Sequence, residues 1–174
     1  MRQYAVVIFD LDLTLVDSRS VLKYQQSGKW RSVFAKIPEI TPYEGISELL
    51  SKLHSCAIPI AIVTSSPDQY CKAIARHQGW HIDVVIGYHN TTRRKPHPDP
   101  INLALQYANI TPEDAVHIGD RPEDTKAAKA AGVFSIGAIW GTLDAAMLSG
   151  SEPELLCRTV ADLVDYLNRR FKIA

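Results

Sequence analysis

The stretch VVIFDLDLTLVDS spans residues 6–18. An apolar run, YAVVIF (4–9), leads into Asp10, and Asp12 and Thr14 follow at two-residue steps. The run does not alternate polar with apolar, so it suits a strand covered on both faces, as in a parallel sheet between helices. Two carboxylates so close together repel each other. Their proximity needs either a cation or a division of labour at the end of that strand.

Four more short runs share this character: IPIAIV (58–63), IDVVI (82–86), AVHI (115–118) and VFSIG (133–137). Helical patterns lie between them. Ile46, Leu49, Leu50 and Leu53 recur at i, i+3, i+4 and i+7, as do Ile101, Ala104, Leu105 and Ala108. A last helix carries Val160, Leu163, Val164, Leu167 and Phe171 on one face. SPDQ (66–69) reads as a helix start with Ser66 as N-cap, and TPYE (41–44) repeats the pattern. DP (99–100) and TPED (111–114) carry its first half, and GSEPE (150–154) reads as a loop. Strands alternating with helices give a doubly wound α/β fold with five parallel strands.

In such folds a site gathers where loops leave the carboxyl ends of the strands. Asp10 and Asp12 follow the first strand, and Thr64 and Ser65 the second. A loop ending in Lys95 follows the third, and Gly119, Asp120 and Asp124 the fourth. Oxygen ligands without clustered His or Cys suit magnesium. A hydroxyl and an ammonium group suit phosphate oxygens. One Asp of the doublet can attack phosphorus, and the other can protonate the leaving oxygen and then take a proton from water.

These residues resemble the haloacid dehalogenase-like hydrolases, in their phosphoglycolate phosphatase-like branch. DLDLT (10–14) matches the first motif, Thr64 the second, KPHPDP (95–100) the third and GDRPEDTKAAKAAG (119–132) the fourth. WG (140–141) and VDS (16–18) also look like this branch. The resemblance implies a magnesium-dependent phosphatase. Asp10 is then nucleophile and metal ligand, and Asp12 is acid/base and lends its backbone carbonyl to the metal. Asp120 and Asp124 complete the metal site, while Thr64, Ser65 and Lys95 hold the phosphoryl group. Leu13 stands where the family usually has Gly. Relatives in the branch insert a helical cap after the first motif, but here residues 18–40 offer room for only one or two helices, with apolar Val21, Leu22, Trp30, Val33 and Phe34.

Other readings are weaker. A dehalogenase needs neither magnesium nor an acid at Asp12, and a phosphomutase generally uses a cap. A phosphoryl-accepting signalling domain carries its acceptor Asp after the third strand, where this chain has GYHNTT (87–92). Arg93 and Arg94 are candidates for a second anionic group, Arg121, next to Asp120, for facing the site, and Trp30 and Trp140 for the entrance. His77, His81 and His97 read as surface residues.

The bulk properties bound the rest. The chain has 174 residues, 46% hydrophobic and 22% charged, which suits one domain with one core and residues 18–40 as its insert. Lys+Arg and Asp+Glu both number 19, so no basic field attracts nucleic acid or an anionic membrane. Cys56, Cys71 and Cys157 form no framework of disulfides or metal ligands. No run reaches the ~20 apolar residues of a membrane helix, and the N-terminus enters a strand without a signal-peptide pattern. The expectation is a cytoplasmic monomer acting on a small phosphorylated substrate, or a larger one if the site is open.

Overall fold

The computed structural model describes residues 5–173. Tyr4, at the head of the first expected strand, lies outside the described residues. The chain begins with β1 (Val6–Phe9) and β2 (Val16–Asp17), then α1 (Leu22–Gln26), α2 (Trp30–Ala35) and a 3-10 turn at Ile37–Glu39. It continues through β3 (Thr41–Pro42), α3 (Ile46–Ser55), β4 (Ile60–Val63), α4 (Asp68–Gln78), β5 (Val84–Ile86) and α5 (Asp99–Ala108). The last third holds β6 (Ala115–Gly119), α6 (Pro122–Ala130), β7 (Phe134–Ala138), α7 (Ala145–Gly150), β8 (Leu155–Cys157) and α8 (Val160–Phe171).

Six parallel strands form one sheet in the order β5-β4-β1-β6-β7-β8. The expected count was five. The sixth, β8, is an edge strand of three residues with Leu156 exposed between half-buried Leu155 and buried Cys157. So short a run lacks the continuous apolar signature of its neighbours.

Alternate strand residues feed two apolar layers, because side chains on a strand point to opposite faces. Val7, Phe9, Ile62 and Ile118 pack with α3, α4 and α8. Val6, Ile8, Val63 and Ala115 pack with α5 and α6. Each helix buries the residues its periodicity singled out, such as Ile46, Leu49, Leu50 and Leu53 of α3.

Four helix starts differ from expectation. Thr41 and Pro42 form β3, and α3 starts after Gly45, because the antiparallel pairing of Val16 with Pro42 and Asp17 with Thr41 claims that backbone. Pro67, not Ser66, precedes α4. Asp99 is the first residue of α5 rather than its cap. TPED yields only the 3-10 turn Pro112–Asp114 after Thr111.

Residues 18–40 form two short helices, as expected, but they do not make a core of their own. Val21, Val33, Ile37 and Ile40 join the cluster of Phe9, Leu11 and Tyr70. Phe34 is left 37% exposed.

Candidate active site

The winding direction reverses between β1 and β6, which are neighbours in the sheet. Such a switch point leaves a crevice at the carboxyl ends of the strands. Asp10 leaves β1 there with its N–H donating to the Ile118 carbonyl at 2.8 Å, and Asp120 leaves β6 beside it. Asp124, in the first turn of α6, accepts a hydrogen bond from the Arg121 backbone N–H at 3.1 Å. Gly119 makes this approach possible, since a Cβ there would lie 2.3 Å from that of Asp124. One carboxylate oxygen from each of Asp10, Asp120 and Asp124 lies within 4.8 Å of the others, and all three residues are buried.

Lys95 enters this cluster. Its ammonium group donates to Asp10 Oδ1 at 2.9 Å, Asp124 Oδ1 at 2.6 Å and the Val63 carbonyl at 2.9 Å. Burial opposes the Lys95 charge, but Asp10 and Asp124 more than offset it and raise the pKa above the ordinary lysine value. Burial likewise opposes the Asp124 charge, yet Lys95 and the Arg121 N–H hold its pKa below 3.8. Asp10 is pushed up to about 6, by burial first and by Asp124 against the pull of Lys95. Asp120 is pushed up to about 9, by burial and then by Asp10 and Asp124. Its carboxylate accepts from the Thr14 hydroxyl at 3.2 Å. His117, on β6, is buried and among the described residues finds no hydrogen-bond partner for either ring nitrogen, and burial lowers its pKa to about 4.

The backbone of the first motif is braced from β7. Trp140 Nε1 donates to the Thr14 carbonyl at 3.0 Å, and a Cβ on Gly141 would meet the Leu13 carbonyl at 1.8 Å. The WG pair therefore supports the loop; Trp140 is half-buried and engaged there. Leu13 itself sits at φ 60°, the left-handed conformation that glycine adopts without strain.

Asp12 points to a different set of partners. Its Oδ1 accepts from Gln25 Nε2 at 3.0 Å and the Tyr70 hydroxyl at 3.1 Å, and its Oδ2 from the Ser66 hydroxyl at 2.7 Å. Thr64 is buried, with its Oγ1 accepting from the Ser66 N–H at 3.0 Å, whereas Ser65 is exposed. Gln25, Ser66 and Tyr70 were not anticipated. Ser66 looked like a helix cap, although Tyr70 four residues later was a signal that both could share a helical side.

The remaining candidates lie elsewhere. Arg93 pairs with Asp99, and Arg94 stacks 3.6 Å over the Tyr88 ring while donating to its carbonyl. Arg121 is exposed and turns to Glu123. His77 and His97 are exposed, and His81 pairs with Asp83. Trp30 packs against Tyr70.

Two of the three buried carboxylates, Asp10 and Asp124, share the Lys95 ammonium group with the Val63 carbonyl, while burial and then repulsion from Asp10 and Asp124 raise the pKa of Asp120. An all-oxygen donor set with uncompensated negative charge fits a hard divalent cation.

Such a crevice, with an acidic doublet on one strand and Gly-Asp on its neighbour, brings together oxygen groups that could hold a metal ion. Comparison with known proteins places it further. Residues 22–138, well over half of the chain, match the family model described as haloacid dehalogenase-like hydrolase. The chain belongs to that family. The matched residues include Thr64, Lys95, Asp120 and Asp124, while Asp10 and Asp12 precede them. The chain is 30% identical over 124 residues to a phosphoglycolate phosphatase of Escherichia coli (strain K12), covering 70% of this chain and 49% of that protein. It is 35% identical over 102 residues to a phosphoglycolate phosphatase of Xylella fastidiosa (strain 9a5c), covering 58% and 44%. The chain thus spans about half the length of the curated relatives it matches. The fold is shared with a haloacid dehalogenase-like family hydrolase from Streptococcus pneumoniae, with a TM-score of 0.77, 23% identity and coverage of 96% and 100%. Among the described residues no helix is long and apolar enough to cross a membrane.

Proposed function

We propose that this chain is a magnesium-dependent phosphomonoester hydrolase working through an aspartyl-phosphate on Asp10. The observation that carries this reading is the placement of Asp10 at the switch point, within reach of Asp120, Asp124 and Lys95. Asp10, Asp120 and Asp124, with the Asp12 backbone carbonyl, would hold magnesium, which supplies charge neutralisation for the phosphoryl oxygens. Asp10 attacks phosphorus with one carboxylate oxygen, and the bond from phosphorus to the leaving oxygen breaks. Asp12 gives its proton to that oxygen. A water then attacks phosphorus, Asp12 takes the water's proton, and the bond to Asp10 breaks to release phosphate. Lys95 and Thr64 stabilise the charge on the transferring group, and the exposed Ser65 contributes at the mouth.

The substrate class is a small phosphorylated metabolite or a larger ester, supported by the names of the relatives and by an insert too short to enclose the site. The unit of activity is the whole chain, as one domain and one copy. Three free cysteines support a reducing compartment such as the cytoplasm.

The test is turnover of an aryl phosphate with magnesium. Chelation is expected to abolish it, and full activity in excess chelator would remove magnesium from the mechanism. Asp10→Asn should lower the rate by several powers of ten, each ~1.4 kcal/mol of barrier, with the fold intact. A variant within about tenfold of the parent refutes Asp10 as the nucleophile.

A further inference from the structure

The short insert and α4 converge on one side chain. Gln25, in α1, donates to Asp12 Oδ1. Tyr70, in α4, donates to the same oxygen and is 0% exposed. Its ring is wedged between two residues of α2, Trp30 at 5.7 Å and Phe34 at 6.2 Å, at interplanar angles of 54° and 81°. The insert therefore contributes one donor directly and fixes a second through ring packing. Ser66 supplies the third, to Oδ2.

We propose that Gln25, Ser66 and Tyr70 are positioning residues for Asp12, so that the insert is a fixed part of the acid–base apparatus. This rests on the reading of Asp12 as the proton donor to the leaving group. An amide nitrogen only donates, whereas a hydroxyl both donates and accepts. A proton on Oδ1 would face the Gln25 amide and cost that bond. Among the described residues Oδ2 meets the Ser66 hydroxyl alone, which can turn to accept. The clamp thus places the transferable proton on Oδ2 and holds the carboxyl plane from the other side. Burial, and then the charge of Asp12, raise the Tyr70 pKa far above the ordinary phenol value, so its hydroxyl stays a donor.

A structural role alone would change stability and reduce turnover of all substrates alike. A positioning role has a different signature, because protonation of the leaving oxygen matters most for poor leaving groups. The experiment compares kcat and KM for an alkyl and an aryl phosphate in Tyr70→Phe, Gln25→Met, Gln25→Glu, Ser66→Ala and Ser66→Thr. Tyr70→Phe keeps the ring between Trp30 and Phe34, and aryl turnover reports folding in each variant.

Alkyl kcat should fall about 10- to 100-fold in Tyr70→Phe, Gln25→Met and Ser66→Ala, part of the ~10²–10⁴ that acid catalysis contributes. Aryl kcat should fall far less, with KM steady. Gln25→Glu should be worse than Gln25→Met, and Ser66→Thr should recover what Ser66→Ala loses. Equal losses for the two esters, or no loss, overturn the positioning role while leaving the phosphatase reading in place. A parent enzyme that turns over neither ester overturns both.

Discussion

The two sides of the crevice hold their carboxylates by different means. On the β6 side, Asp10, Asp120 and Asp124 lie close together, and Asp10 and Asp124 pair with the buried Lys95 ammonium group. On the α4 side, Asp12 is held by an amide and two hydroxyls. Burial disfavours the charged carboxylate, and neighbouring carboxylates add repulsion, so the pKa values of Asp10 and Asp120 rise. Neutral donors stabilise a carboxylate without adding net charge. The first arrangement is incomplete without a further cation. The second pairs both carboxylate oxygens with neutral donors. In the mechanism proposed above, this difference separates metal binding from acid–base work within two residues of sequence.

Removing the ammonium group tests the charged side most severely. Lys95→Met leaves Asp10 and Asp124 buried without their counter-charge, which should destabilise the protein by about 3–5 kcal/mol at neutral pH. Its kcat/KM should drop about 10²–10³-fold, the usual cost of losing a donor to a developing oxyanion. Adding Asp124→Asn should recover part of the stability and none of the activity. Denaturant unfolding and steady-state kinetics report both quantities. A Lys95→Met protein as stable as the parent would break the contrast between the two sides.

A smaller effect follows from proton linkage in metal-free protein. The folded state holds Asp120 protonated up to about pH 9, whereas the unfolded chain loses that proton near 3.8. The folded state thus binds more protons than the unfolded one, and stability falls as pH rises through this window. Asp10 acts in the same direction up to about 6. His117, buried neutral, acts oppositely between about 4 and 6.5. Asp124, with its pKa lowered, adds stability that is lost only in acid below 3.8. Of these four groups, Asp120 alone titrates between pH 6.5 and about 9. Unfolding followed in chelator should therefore show stability falling by up to about 1.4 kcal/mol per pH unit across that range. Saturating magnesium should remove the fall, because the cation binds the ionised carboxylates. A flat profile in chelator would mean that the charged side is not strained.

The charged side was legible in the sequence, and the neutral side was not. Asp10 and Asp120 follow strand ends, Asp124 lies in the first turn of the helix after β6, and Lys95 lies in the loop between β5 and α5, so parallel topology brings them to one edge of the sheet. Asp12 was visible, but its partners come from three places: an insert helix, a strand-end loop and the first turn of α4. No period or spacing links Gln25 to Ser66 or Tyr70. Ser66 also fitted an ordinary local role as a cap, and the local reading concealed the tertiary one. The edge strand β8 escaped for a related reason: pairing with β7, not its own composition, makes Leu155–Cys157 a strand.

Leu13 joins the two sides, between Asp12 and Thr14, and it carries the smallest expected effect. At φ 60° a leucine costs roughly 1–2 kcal/mol that glycine would not. Its side chain is 4% exposed, and burying a leucine is worth about 1.5–3 kcal/mol. Glycine also loses about 0.5–1 kcal/mol more backbone entropy on folding. Leu13→Gly should therefore be destabilised by about 1–2 kcal/mol, a fall of a few degrees in Tm for a chain of this size. Activity should stay within about threefold, because what the loop needs from this residue is backbone. Its N–H donates to the Val16 carbonyl at 2.9 Å, and its carbonyl lies against Gly141. A glycine preserves both contacts, so burial outweighs strain in stability while geometry is unchanged. If kcat/KM for alkyl and aryl esters instead shifted by about tenfold, the Leu13 side chain would be touching substrate. The boundary between the two sides would then be a specificity element rather than a hinge of backbone.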